Sequence, residues 1–287
     1  MKLVKLKFVK IHGLGNDFVL LPDGDPGLGE LSKLAVKLCH RRFGIGADGL
    51  VLLSPRETGG WAMRIFNADG TEAEMCGNAL RSVARYLVES GREKGPEVAI
   101  GTRAGVKPAT ILPEGEVRVD MGAPILESSS IPVAGEPRRV INEELEVAGK
   151  KFRFTAVSMG NPHCVIFLET DREVEVPYWG PLIERHPLFP QGVNVEFCRV
   201  DSPGEVQVKV WERGAGETLA CGTGACATLV AGVLQGKLDR RAKVKLPGGV
   251  LNISWPPGGA VLMEGPAEEV FTGEVTLKVK GGFLDDV

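Results

Sequence analysis

Residues 208–224 read VKVWERGAGETLACGTG, and residues 63–79 read MRIFNADGTEAEMCGNA. Laid over each other without a gap, at an offset of 145 positions (208 − 63 and 221 − 76), Ile65 meets Val210, Phe66 meets Trp211, Glu72 meets Glu217, Cys76 meets Cys221 and Gly77 meets Gly222. Each copy is an alternating strand, a glycine-rich turn and a cysteine delivered to the start of an apolar helical run. The same offset carries Gly15-Asn16 onto Gly160-Asn161 and Gly49 onto Asn194, far from the cysteines. The duplication therefore extends to half-molecules, and two thiols hold equivalent places in them.

The chain has 287 residues with 43% hydrophobic content, enough to bury a substantial core in two domains. Its formal charge of −3, with signs interspersed and no basic block, argues against a nucleic-acid or membrane-surface partner and for a small-molecule ligand. No apolar run approaches the ~18 residues of a membrane span. The start, MKLVKLKFVKIHG, alternates Lys with apolar residues like a strand, so a cytoplasmic protein is expected. Six cysteines without a CxxC pair are too sparse for a disulfide scaffold, and the four histidines form no HxxxH pair. No metal site is expected.

The predicted fold class is α+β: two pseudo-symmetric lobes, each a curved, mainly antiparallel sheet around a central helix. The N-terminal lobe is residues 1–123, joined by the C-terminal segment 267–287, and the C-terminal lobe is 124–266. Leu3 to Val9 reads as a strand, and Leu28 to Leu38 as a helix of about three turns. Gly44-Ile-Gly46-Ala-Asp48-Gly49 feeds a strand rather than a helix, which excludes a dinucleotide fingerprint. In the helix Asn78 to Glu89, Leu80, Val83, Ala84, Leu87 and Val88 form one apolar stripe, with Arg81, Arg85 and Glu89 off it. Pro177 to Pro190 reads as a proline-interrupted counterpart of the first-half helix. Ala225 to Leu234 is apolar nearly all round, which predicts a helix enclosed by sheet. Near the end, EVFTG and EVTLKVK read as separate strands.

A cysteine at a helix N-terminus is expected to have its pKa lowered by the unpaired amides and the dipole, equivalent to roughly half a charge. The same amides attract a carboxylate. If the halves face each other, a carbon bonded to that carboxylate would have a thiol on either side. One sulfur could remove the Cα proton while the other returns one on the opposite face, and the amides would stabilise the charge that builds up. This predicts cofactor-independent racemisation or epimerisation of an amino acid by Cys76 and Cys221. Cys39, Cys164, Cys198 and Cys226 lie in apolar or helical runs and are expected to be core.

HGLGNDF, RIFNADG, the CGN and CGT cysteines, SMGNPHCV, GVNVEF and ERGAGETLACGTGA together resemble the diaminopimelate epimerase family across nearly the whole chain. The resemblance implies interconversion of LL- and meso-diaminopimelate for lysine and peptidoglycan synthesis, two lobes with a cleft that closes over substrate, no cofactor or metal, and a homodimer. It makes Cys76 and Cys221 the acid/base pair. Gly77, Asn78, Gly222 and Thr223 match the helix-start amides that hold the reacting carboxylate. Asn16, Asn67, Asn161, Asn194, Glu212 and Arg213 match residues that recognise the substrate's amine and carboxylate groups. His163 and Glu212 match groups that tune or orient the thiols, with the pairing left open. Gly49 departs from the family, which often has Gln there. A proline or hydroxyproline enzyme of similar fold is the nearest rival reading, but a cyclic substrate would leave Asn67, Asn161, Asn194 and Arg213 without a purpose. A reversible Cys76–Cys221 disulfide switch is a rival of another class, and it gives those same residues no role.

Overall fold

The computed structural model describes residues 2–169, 174–280 and 283–284. The chain divides into two compact units, Met1–Val119 with Pro266–Val287, and Asp120–Gly265.

The first unit begins with β1 (Lys2–Gly13), β2 (Asn16–Leu21), α1 (Leu31–Cys39), β3 (Gly49–Pro55), β4 (Trp61–Asn67) and β5 (Glu72–Ala73). It continues with α2 (Gly77–Glu89), β6 (Glu97–Thr102), β7 (Gly105–Ile111) and β8 (Val117–Asp120). β1 and β2 form a hairpin, β2 and β3 run parallel, β3 and β4 are antiparallel, and β4 pairs with both β5 and β6. β6, β7 and β8 then run as an antiparallel meander.

The second unit repeats this order. After a short β9 (Glu143–Val147) come β10 (Lys150–Ser158), β11 (Pro162–Phe167), α3 (Val176–Glu184), β12 (Asn194–Ser202), β13 (Glu205–Glu212) and β14 (Gly216–Thr218). α4 (Gly222–Leu234), β15 (Arg241–Leu246), β16 (Gly249–Ser254) and β17 (Leu262–Gly265) complete it. The duplication reaches individual strand pairs: His163 faces Asn194 as Phe18 faces Gly49 (163 − 18 = 194 − 49 = 145), and Val210 faces Thr218 as Ile65 faces Ala73. α2 and α4 both have 13 residues and start at Gly77 and Gly222. The repeat slips by one residue at the first hairpin, where Gly13 faces Asn16 but Ser158 faces Pro162. The longer turn takes in Asn161, with Gly160 at a φ of 100° allowing the reversal.

Each unit encloses its central helix. In α2, Ala79, Leu80, Val83, Ala84 and Leu87 are fully buried, and in α4 the run from Ala225 to Ala231 is buried throughout. Burial of each Leu or Val of these helices contributes about 1.5–3 kcal/mol. The amphipathic reading of α2 needs one correction. Arg81, expected off the apolar stripe, is completely buried, and its guanidinium donates to Asn78 Oδ1 at 2.9 Å and to the Pro266 carbonyl at 3.3 Å. The sheet wraps the polar side of the helix too, so Arg81 satisfies its donors inside the unit.

The last stretch differs as well. EVFTG and EVTLKVK form one strand, β18 (Glu268–Lys280), followed by β19 (Phe283–Leu284). β18 pairs antiparallel with β1 from Val279 opposite Lys2 to Glu268 opposite His12. Gly273 does not break it, because the ring of Phe8 covers the position and a Cβ there would come within 2.6 Å of the ring. Among the described residues no helix is long and apolar enough to cross a membrane.

Candidate active site

The two cysteines occupy the same local position in their units. Cys76 is the residue before α2, with φ −138° and ψ 120°, and its carbonyl accepts from Leu80 N at 2.9 Å. Cys221 is the residue before α4, with φ −120° and ψ 109°, and its carbonyl accepts from Ala225 N at 2.9 Å. Gly77 with Asn78 and Gly222 with Thr223 therefore open the two helices, where backbone amides have no intrahelical acceptor.

In the first unit the half-buried Cys76 faces a line of side-chain amides. Its Sγ lies 3.7 Å from Asn16 Oδ1, which also accepts from Asn78 Nδ2 at 3.0 Å. Asn16 Nδ2 donates to Asp48 Oδ2 at 2.9 Å, and Asp48 Oδ1 accepts from Arg41 at 2.7 Å. Asn67 is exposed and spends its amide nitrogen on Thr71 Oγ1 at 2.9 Å, which ties the turn after β4. At Gly49 a Cβ would approach the Phe66 carbonyl to 2.8 Å and the Phe18 ring to 3.2 Å. The backbone at the start of β3 thus packs closely against the Phe66 carbonyl and the Phe18 ring.

In the second unit Cys221 is 4% exposed, and its sulfur accepts from Gly224 N at 3.4 Å and lies 3.5 Å from Thr223 Oγ1. Glu212, half-buried at the end of β13, accepts from Thr218 Oγ1 at 2.6 Å. The expectation that a helix start lowers a thiol's pKa is not met at Cys221. Burial pushes it well above the ordinary range, the Glu212 and Glu196 carboxylates push it further, and the Thr223 hydroxyl and Gly224 amide offset only part. Glu212 is also raised, first by burial, while Thr218, Cys221 and His163 pull it down. Cys39, by comparison, is pushed up to about 12 by burial, and Cys164 and Cys198 are likewise raised. Cys39, Cys164, Cys198 and Cys226 are buried thiols not joined in disulfides.

His163 is completely buried, with Nδ1 2.7 Å from Glu196 Oε1 and Nε2 2.9 Å from Asn161 Oδ1. Glu196 was not singled out by sequence reasoning. Its carboxylate is fully buried beneath the first turn of α4, where a Cβ at Gly224 would come within 2.7 Å of Oε1. The signal in sequence is a lone acidic residue in the otherwise apolar run Val195 to Cys198. Asn194 is also buried and uses both amide atoms inside the unit: Nδ2 donates to the Pro162 carbonyl at 2.8 Å and Oδ1 accepts from Arg213 N at 2.9 Å. It ties the start of β11 to the turn that carries Arg213. Arg213 is exposed and commits Nη1 to the Gln191 carbonyl at 3.0 Å.

The family described as diaminopimelate epimerase matches residues 8–127 and 155–270, which contain both cysteines and every polar residue above. A diaminopimelate epimerase from Pelotomaculum thermopropionicum is 55% identical over 281 residues, 94% of this chain and 98% of that protein. One from Carboxydothermus hydrogenoformans is 55% identical over 275 residues, 95% of this chain and 100% of that protein. This chain belongs to the diaminopimelate epimerase family. Membership of the diaminopimelate epimerase family places it among the isomerases. A solved hydroxyproline epimerase from Agrobacterium vitis covers 95% of this chain and 93% of its own, with a TM-score of 0.67 and 17% identity. A probable proline racemase from Agrobacterium radiobacter gives a TM-score of 0.68 at 18% identity, covering 94% of this chain and 92% of its own. These likenesses show a shared α+β fold. Among the described residues of this diaminopimelate epimerase family member, no group of three or more His, Cys, Asp or Glu could hold a metal ion.

Proposed function

We propose that the chain interconverts LL- and meso-diaminopimelate by moving the Cα proton between two thiols, Cys76 and Cys221, in lysine and peptidoglycan precursor synthesis. The observation that carries the reading is that each cysteine precedes a 13-residue helix at the same place in a duplicated unit. A thiolate takes the Cα proton and becomes a thiol. The other thiol gives its proton to the opposite face of the carbon and becomes a thiolate. Atoms and charge balance without a cofactor, and each turnover leaves the two sulfurs exchanged in protonation.

The helix-start amides of Gly77, Asn78, Gly222 and Thr223 would hold the reacting carboxylate and stabilise the charge that builds on it. Glu212, whose carboxylate acts on the Cys221 thiol, is the group that takes the Cys221 proton when that sulfur must become thiolate. Outside the thiols the halves differ, with Asn67 opposite Glu212 and Ala68 opposite Arg213 by the offset. Arg213, held by Asn194 and Gln191, has guanidinium donors left for a distal carboxylate, which a bifunctional amino acid has and proline lacks. Asn16, Asn67 and Asn161 complete the recognition of the amine and carboxylate groups. The working protein is a cytoplasmic homodimer with no nucleic-acid or membrane partner.

The test is incubation of the reduced protein with LL-diaminopimelate in D2O, followed by NMR. Appearance of the meso isomer with deuterium at Cα is expected. Absence of exchange with every diaminopimelate isomer, or exchange of hydroxyproline instead, overturns the reading.

A further inference from the structure

The segment Gly44-Ile-Gly46-Ala-Asp48-Gly49 leads into β3 and supplies one side chain to the line of groups that ends at Cys76. Asp48 Oδ2 accepts from Asn16 Nδ2 at 2.9 Å and from Asp17 N at 3.1 Å, while Arg41 holds Oδ1 at 2.7 Å. At the far end, Arg81 Nη2 donates to Asn78 Oδ1 at 2.9 Å. A guanidinium only donates and a carboxylate only accepts. Arg81 therefore fixes the Asn78 carbonyl inward, which turns Asn78 Nδ2 toward Asn16 Oδ1 at 3.0 Å. Asp48 independently fixes Asn16 Nδ2 on the other side. The two ends agree, so the Asn16 amide has one orientation, with its carbonyl oxygen 3.7 Å from Cys76 Sγ.

We infer that Asp48 and Arg81 are positioning residues that lock Asn16 with its acceptor toward Cys76 and so hold this sulfur as the protonated thiol before substrate arrives. An acceptor beside sulfur receives S–H and repels a thiolate, whereas a reversed Asn16 would offer N–H and favour the thiolate. Around the relay the charged groups are Asp48 and Arg41 from the loop before β3, Asp17 from β2, Lys10 from β1 and Arg81 from α2. Lys10 pairs with Asp17 at 2.5 Å and donates to the Gly46 carbonyl. The inference rests on the reading of Cys76 as an acid/base group, but its test needs no turnover.

The experiment is the pH profile of Cys76 alkylation by iodoacetamide in Cys221→Ala protein, followed by peptide mass spectrometry. Asp48→Asn lets residue 48 donate, so that only Asn78 still orients Asn16 and the population with its amide nitrogen toward the sulfur should grow. Alkylation at pH 7.5 should rise about threefold or more, with the profile moved to lower pH. Asp17→Asn removes a like charge from the same cluster without touching the Asn16 amide, and should leave the profile in place. Equal shifts in the two variants, or none in Asp48→Asn, overturn the inference. In unsubstituted protein labelled with 15N-asparagine, the Asn16 side-chain amide protons should exchange slowly with solvent, because they are held on Asp48. A freely exchanging amide there overturns the inference even if a variant fails to fold. Failure of epimerisation with a locked Asn16 would instead count against the proposed function alone.

Discussion

Trp211 Nε1 donates to Glu184 Oε2 at 2.6 Å, and the other oxygen of the same carboxylate accepts from Gly214 N at 3.2 Å. Glu184 at the end of α3 thereby clamps the β13–β14 turn that presents Glu212 and Arg213. The clamp depends on Gly180, over which the indole lies so closely that a Cβ would come within 2.4 Å of the ring.

Gly180→Val should push the indole off α3 and release the turn. Overpacking of this kind costs about 1–3 kcal/mol. The expected outcome is a folded protein with a lower melting temperature, red-shifted tryptophan emission, and a KM for diaminopimelate raised more than kcat is lowered. Unchanged KM with a large loss of stability would mean that the clamp does not serve Arg213.

Glu212→Gln should move reactivity and turnover in opposite directions. After burial, the Glu212 carboxylate is the largest cause holding the Cys221 thiol protonated. Removing that charge should shift alkylation of Cys221, measured in Cys76→Ala protein, to lower pH. Turnover in otherwise unsubstituted protein should fall roughly 10²–10⁴-fold, the usual loss of a general base. Activity retained within threefold would remove Glu212 from the mechanism.

Asp17→Asn probes the ion cluster beneath the Asp48 loop. Burial alone would push the Asp17 carboxyl up, but Arg41 and Lys10 outweigh it and hold it at about 2, below the ordinary carboxylate value of 3.8. A folded-state value below the unfolded one gives stability that is present above the unfolded value and is lost as pH falls through the folded one. Wild type should exceed the variant by about 1–2 kcal/mol at pH 7 in chemical denaturation. The gap should close between pH 4 and pH 2. A gap that stays constant over that range would show that the charge of Asp17 is not what the cluster uses.

What the sequence made legible is what local pattern and duplication control. Strand alternation around Cys76 and Cys221, the enclosed Ala225 to Leu234 helix and the one-register repeat all follow from side-chain period, and the β2–β3 and β4–β5 pairs keep that repeat in β11–β12 and β13–β14. Arg81 and Glu196 were illegible for a common reason. Their partners are tertiary: His163 holds Glu196 Oε1, and Arg81's partner carbonyl at Pro266 is 185 positions away in the chain. The lowered thiol expected at Cys221 failed similarly: the helix-start amide is a local property, whereas the burial and two carboxylates that outweigh it come from the wrapping sheet. Likewise Gly273 reads as a strand end until Phe8 from β1 is seen to cover it.

Gly224→Ala sets two effects against each other at one atom. In the first turn of α4, replacing Gly by Ala should favour the helix by up to about 1 kcal/mol. The added methyl, however, would sit 2.7 Å from Glu196 Oε1 and 3.3 Å from Cys221 Sγ. Glu196 has no room to yield, since its carboxylate is fully buried, and Oε1 is already held 2.7 Å from His163. Moving it away would weaken a buried hydrogen bond, and leaving a buried partner unsatisfied costs about 1–3 kcal/mol. The clash should therefore win, with a net destabilisation of about 1–3 kcal/mol by chemical denaturation. The same methyl would displace the Cys221 sulfur from the Gly224 amide, so kcat should fall while KM changes less. A variant more stable than wild type would show that Glu196 is free to move and that its pairing with His163 is not a fixed part of the unit.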